Sequence, residues 1–270
     1  MKPTLACRGF SLVEIAVVMI IITVLLTIVG LPLASQMEQQ RVSETSKQLT
    51  TIKEAVIGFA IANGRLPCPA TDGTGGTTNS AGVESFAVAG SPANGNCQRW
   101  SGFVPAVTLG LGPVDTAGFM LDAWGLTQNR IRYAVAQKTV AAVGACPNAV
   151  TNIFTATNGI KTATADCISA QTLITVCSST PLGAAGAATG CQAGALSVAS
   201  APFLVFSLGK NASVGGAGID ETHNLDQDAY FVAHVPSTAG TAGGEFDDLV
   251  VWPSLSSLIY YLSQAGKLGP

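Results

Sequence analysis

Charge and histidine are scarce in this chain. Of its 270 residues 11% are charged, 13 basic against 16 acidic, for a formal net charge of −3. There is no basic patch, so electrostatic binding to nucleic acid is not expected. Catalytic signals are equally thin. The two histidines, His223 and His234, stand eleven positions apart with no matching Cys or His spacing. No G-x-S-x-G elbow is present, and Gly73-Thr-Gly-Gly76 lacks the Gly-Lys-Ser/Thr ending of a phosphate loop. An extracytoplasmic enzyme would need a pocket that gathers His223 or His234 with carboxylates; the reading is non-enzymatic. No CxxC spacing occurs, which argues against a zinc site. Low charge with 30 glycines points instead to a secreted or surface-exposed protein with long irregular connections.

What the chain does have is one long apolar run. From Ile15 to Leu33 every residue is apolar except Thr23 and Thr27, whose hydroxyls can bond back to helix carbonyls; Gly30 and Pro32 fall at its far end. About 20 such residues at ~1.5 Å each cross a ~30 Å hydrocarbon layer. Lys2 and Arg8 precede the run and favour a cytoplasmic amino terminus. A cleaved secretory signal fits poorly, because the run is too long and the best cut, after Ala34, puts Pro32 at the −3 position. Just inside the run sits Glu14. An ionised carboxylate at membrane depth costs at least a few kcal/mol, so it persists where something pairs with it.

Gly9-Phe10-Ser11-Leu12-Val13-Glu14, behind a basic leader and ahead of the apolar run, resembles the prepilin leader motif of type IV pilins and type II secretion pseudopilins. The resemblance implies cleavage between Gly9 and Phe10 by a membrane peptidase, with methylation of the new terminal Phe10. It implies that Glu14 faces the amino terminus of a neighbouring subunit. A free α-amine has a reference pKa near 8 and is largely protonated at neutral pH, so the pairing is chemically sensible. Family members usually carry a helix-kinking proline one position before the place of Pro32. The implied partners are other pilin or pseudopilin subunits, prepilin peptidase, an inner-membrane assembly platform and the membrane itself. The implied location is a single-pass inner-membrane protein with its globular part in the periplasm, later in a pilus or pseudopilus.

The organisation follows: residues 1–9 as leader, 10–33 as the transmembrane and assembly half of a helix, 34–63 as its amphipathic half, and 64–270 as an extracytoplasmic domain. Val42, Thr45, Leu49, Ile52, Val56 and Phe59 recur at helical spacing. Asn63-Gly64, backed by Pro67 and Pro69, predicts the helix end. One helix from Phe10 to Asn63 would be about 80 Å long. Thr71 to Asn96 reads as a surface loop. Strands are predicted at 131–136, 172–176, 203–208, 229–235 and 249–252. Residues 181–201 read as a Gly/Ala-rich stretch, and Pro253 opens a final helix capped at Gly266. The expected fold is α+β, a long amino-terminal helix packed on an antiparallel sheet with disulfide-stapled loops.

Cys7 belongs to the leader. The other six cysteines, Cys68, Cys97, Cys146, Cys167, Cys177 and Cys191, allow 15 connectivities, of which neighbour pairing closes the shortest loops. Disulfides need an oxidising compartment, in agreement with the inferred orientation.

Further resemblances lie in the domain. Asp122-Ala-Trp-Gly125 with Ile131-Arg-Tyr133 resembles the "DPWGNPYQY" element of major pseudopilins, and Phe206 to Gly216 is similar to their "YSLGADGKPGG" stretch, which enters a calcium loop. Phe246-Asp-Asp-Leu-Val-Val-Trp252 and Gln264-Ala-Gly-Lys-Leu268 resemble pilin-like endings; residues 138–200 match nothing recognised. Asp220, Glu221, Asp226 and Asp228 lie in a Gly-rich stretch, and calcium takes six to eight oxygens. The calcium expectation therefore rests on Asp220, Asp226 and Asp228, with Asp247 and Asp248 next in line. "LGKNAS" lacks the acid of "LGADGK", and turn-favouring Asp and Asn residues explain such a loop without a metal. The functional expectation is a structural pilin-like subunit, a minor one given its length. The competing expectation is a surface adhesin or ligand-binding module that uses the helix only as an anchor.

Overall fold

The computed structural model describes residues 11–72, 81–88, 92–215 and 218–269, with the backbone but not the side chains of 26–34. The leader positions Gly9 and Phe10 lie outside the described residues, as does part of the 71–96 loop. The chain divides into two compact units, Met1–Ser43 and Glu44–Pro270.

The first helix, α1 (Leu12–Asn63), contributes to both units and contains Pro32. In the first unit every described side chain from Ser11 to Leu25 is exposed. The Thr23 hydroxyl donates to the Met19 and Ile20 carbonyls at 3.0 and 2.8 Å, as its place in an apolar run requires. Among the described residues no helix is long and apolar enough to cross a membrane. The span expected over 10–33 extends through positions whose side chains are not described.

In the second unit the expected stripe is realised. Thr45, Leu49, Ile52, Val56 and Ala60 are fully buried, while Phe59 is partly covered and lies 5.2 Å from the Arg65 guanidinium. Each large aliphatic side chain buried here contributes about 1.5–3 kcal/mol. The helix stops where its carbonyls find other partners. Gly64, at φ 68°, returns its N–H to Ala60 O at 2.8 Å, and Lys267 Nζ donates to Ala62 O at 3.1 Å.

The domain continues with β1 (Ser101–Phe103), α2 (Ala106–Leu109), β2 (Arg132–Val135), α3 (Gly159–Thr162), α4 (Ala165–Ser169) and β3 (Ile174–Cys177). Then come β4 (Leu196–Ala201), β5 (Phe203–Ser207), α5 (Ile219–Leu225), β6 (Tyr230–Val232), β7 (Leu249–Val251) and α6 (Leu255–Gln264). A four-stranded antiparallel sheet runs β1-β2-β5-β7, with Tyr133 opposite both Gly102 and Val205. All five residues of β5 are buried, as a central strand covered on both faces demands. The sheet shares one apolar core with Leu49, Ile52 and Val56, so α1 packs on an antiparallel sheet as expected.

Two features correct the sequence reading. A second, three-stranded sheet runs β4-β3-β6, and β6 is parallel to β3 with Val176 opposite Phe231. The chain reaches β6 through β4, β5 and α5, the long crossover that parallel pairing needs. Part of the Gly/Ala-rich stretch is also a strand, β4, held antiparallel to β3 with register shifts. The disulfides join sequence neighbours: Cys68–Cys97, Cys146–Cys167 and Cys177–Cys191, with Cα separations of 5.3, 4.5 and 5.4 Å.

Candidate functional site

At the amino terminus the site is a helix start. Glu14 lies in the first turn of α1, where the Ser11 N–H donates to its Oε2 at 3.4 Å and the Glu14 N–H returns to Ser11 O at 3.0 Å. Ser-x-x-Glu is a capping-box pattern visible in the sequence itself. The Glu14 carboxylate is exposed and takes up part of the helix-end donor deficit.

Within the domain the chemistry gathers at the turn after β5. The buried Asp122 carboxylate accepts from the Asn129 amide at 3.0 Å, the Ser207 hydroxyl at 2.5 Å and the Trp124 N–H at 2.9 Å. Asn129 Nδ2 also donates to Gly209 O at 2.6 Å, and Thr45 Oγ1 of α1 accepts from Ala123 N at 3.2 Å. The segments 122–125 and 206–216 are thus in direct contact. Burial pushes the Asp122 carboxyl above the usual carboxylate range, against the lowering effect of these hydrogen bonds.

That knot holds the turn 208–211 beside three carboxylates, Glu221, Asp247 and Asp248, which each bring an oxygen within 4.8 Å of the others'. Glu221, on the first turn of α5, is fully buried and accepts from Asn211 Nδ2 at 2.9–3.0 Å, Asp247 N at 2.9 Å and Gly218 N at 3.3 Å. Asp247 Oδ2 accepts the amides of Lys210 and Asn211 at 3.0 and 3.2 Å. A Cβ on Gly209, at φ 63°, would collide with the Asp247 carboxylate, so glycine is needed there for space as well as backbone conformation. Asp248 is buried and its Oδ2 accepts from Asn224 Nδ2 at 2.7 Å. Three oxygens in this neighbourhood are buried without a hydrogen-bond partner: Asp247 Oδ1, Asp248 Oδ1 and Asn211 Oδ1.

Burial, with the Glu221 charge beside it, raises the Asp247 carboxyl to about 6 despite its two backbone amides. Burial raises Asp248 still more clearly, with Glu221 and Asp247 adding to the shift and the Asn224 hydrogen bond and Arg132 opposing it. Such a group accommodates full ionisation only beside a cation. Its donors are all oxygen and several are orphaned, a set that fits a hard ion such as calcium.

The expected ligand trio is divided by the fold. Asp226 and Asp228 lie together with the buried His223, whose Nδ1 is 3.1 Å from Asp226 Oδ2. Asp226 Oδ2 accepts Gly186 N at 2.7 Å, and Asp228 Oδ2 accepts Ala188 N at 2.9 Å, which pins the loop closed by Cys177–Cys191. Asp220 is elsewhere, between the Thr180 hydroxyl at 2.5 Å and His234 Nε2 at 3.0 Å. With the carboxylate in the middle, His234 is not placed to take a proton from Thr180, so the order of a nucleophile–base–acid relay is not met. Glu221 and the runners-up Asp247 and Asp248 form the coherent oxygen site. Sequence order alone could not show that, because 221 and 247 are 26 residues apart and meet through a tertiary contact.

Residues 5–30 match the family model described as the prokaryotic N-terminal methylation motif. No curated protein and no solved structure matches the chain. The matched segment contains Gly9, Phe10, Glu14 and the apolar stretch up to Gly30, so the chain carries at its amino terminus the signature of type IV pilins and pseudopilins.

Proposed function

We propose that this chain is a type IV pilin-like structural subunit, made as a prepilin, cut after Gly9 by prepilin peptidase, methylated on Phe10 and assembled through α1 into a fibre. The observation that carries the reading is the methylation motif over residues 5–30, continuous with a helix whose apolar side chains Leu12 to Leu25 stand exposed in the single chain. In this reading those side chains occupy the inner membrane first and a bundle of like helices afterwards. The domain lies in the periplasm, where its three disulfides are stable. Glu14 exchanges its contact with the Ser11 amide for the methylated amine of a neighbour, which sets register in the bundle. The chain is a minor subunit, with residues 138–200 as added surface, and serves a pilus or a type II secretion pseudopilus.

Calcium belongs to the proposal as a structural ion held by Glu221, Asp247 and Asp248, with Asn211 Oδ1 as a further oxygen. When bound it neutralises the buried carboxylates and ties α5 to the turn after β5. Support comes from the orphaned oxygens and from the raised Asp247 and Asp248 carboxyls.

The deciding experiment is intact-mass and N-terminal analysis of protein from an assembling cell. A chain beginning at methylated Phe10 supports the proposal; a mature chain that still begins at Met1 defeats it. A second reading, an adhesin anchored by the same helix, is favoured by one observation: paired cavities beside Trp100 and Arg132.

A further inference from the structure

Three partly or fully buried arginines contact aromatic rings in the domain, and two of them have carboxylate partners. Arg65 forms a two-pronged pair with Glu84, both contacts at 2.7 Å, and Arg130 meets Asp115 at 2.8 Å. Arg132, on β2, differs. Its guanidinium lies 5.2 Å from the Phe103 ring centroid, its Nε is shut away from water without a partner, and no ion pair to it occurs among the described residues. Burial lowers its pKa, and the attraction of Asp248 and Asp72 does not offset that. A guanidinium with unused donors in a fixed plane is a receptor for a carboxylate or a similar oxyanion.

Space for such a group is present. Arg132 lines a cavity of about 140 Å³ together with Arg99, Thr71, Ser101 and Gln227; Asp72 stands on the same wall. A second cavity of about 390 Å³ is lined by Trp100, Gln137, Lys138, Thr172 and Gln227 among others. The two share Gln227 and follow consecutive residues, Arg99 to Ser101, along the β1 edge. The larger falls in the size range of small-ligand sites, and the smaller adjoins it through Gln227. Gln227 has φ 67°, a left-handed backbone held by the Asp226 side chain, which accepts from Asp228 N at 2.9 Å.

The lining also indicates the ligand. Trp100 is fixed edge-on against Phe231 at 6.1 Å and offers an indole as a platform for an apolar ring face. Gln137, Gln227 and Thr172 offer amide and hydroxyl groups suited to ring hydroxyls, and Lys138 adds a second cation. We propose that this pair of cavities binds an acidic saccharide, with a uronate carboxylate on Arg132 and a sugar ring on Trp100. The site rests on the adhesin reading for its biological use alone, and its chemistry is independent of fibre assembly.

The test uses the full-length chain in detergent and trigalacturonate as probe, followed by tryptophan fluorescence and titration calorimetry. Saturable binding with a Kd of roughly 0.1–1 mM is expected. The methyl-esterified trisaccharide, alike in shape but uncharged, should bind at least about tenfold more weakly to the same protein. Arg132→Gln and Trp100→Ala should each weaken the acid's binding by about tenfold or more, with Lys161→Gln unchanged. The ester comparison needs no variant, so it decides the matter even if Arg132→Gln does not fold. Absence of binding up to about 10 mM overturns the proposal. So does equal binding of acid and ester, undiminished binding by a folded Arg132→Gln, or tighter binding of a short peptide through its terminal carboxylate. None of these outcomes touches Phe10 processing or fibre formation, which are read by mass and microscopy.

Discussion

Glu14 and Asp247 show how a single carboxylate in this chain depends on what stands opposite it. Glu14 has the Ser11 amide within the chain, a contact of 3.4 Å that a neighbouring amine would exceed in strength. Glu14→Ala should therefore leave the domain folded and the leader processed, yet reduce fibre yield to near the detection limit in sheared-pilus or electron-microscopy assays. Wild-type fibre levels in that variant would refute the register role. Asp247, raised to about 6, makes a different forecast. In chelator, between about pH 4 and 6, the folded chain holds a proton that the unfolded chain has released, so stability falls as pH rises through that window. Asp122 and Asp248, also raised, add in the same direction. Thermal midpoints measured in EDTA should drop from pH 4 to pH 7; a flat or rising profile would contradict the buried-carboxylate picture.

Among the elements, α1 and the disulfide loops carry the largest local stakes. Ile52→Ala empties a fully buried position beneath the sheet and should cost about 2–5 kcal/mol in denaturant unfolding. Removing Cys177–Cys191, which closes 14 residues, should cost about 3 kcal/mol by chain entropy, and the Asp226 and Asp228 contacts to the same loop would retain part of its shape. These elements were also the legible ones. A three-four apolar spacing marks the buried side of α1, and β-branched or aromatic runs mark β2, β3, β5, β6 and β7. Cysteine neighbours closing short loops anticipate all three bridges. Strand β1 escaped because Ser101-Gly-Phe103 is three residues long, and β4 because Leu196–Ala201 lies in Ala/Gly-rich text. Helix α5 escaped because IDETHNL carries no apolar stripe. The carboxylate grouping and the isolation of Arg132 depend on which strands become neighbours, and no local pattern encodes that.

For the whole molecule, ion binding and folding are coupled at the turn after β5. If calcium occupies Glu221, Asp247 and Asp248, free ion at 100 times its Kd adds about 2.7 kcal/mol of stability. For a domain this size that is an increase of roughly 5–10 °C in Tm at pH 7. The increase should shrink towards pH 4, where protons compete for the same oxygens. Magnesium, which dehydrates reluctantly, should substitute poorly. An Asp248→Asn variant that still showed the full calcium increase would remove Asp248 from the site.

The positions of the three bridges have a mechanical corollary. Each lies at or beyond Cys68, and none reaches α1. Traction applied along the helix is therefore resisted by the seating of Leu49, Ile52, Val56 and Ala60 and by the hydrogen bonds to Thr45 and Ala62, with no disulfide across that seat. A thiol reductant should slacken the outer loops while barely changing the force at which the helix is pulled from its seat.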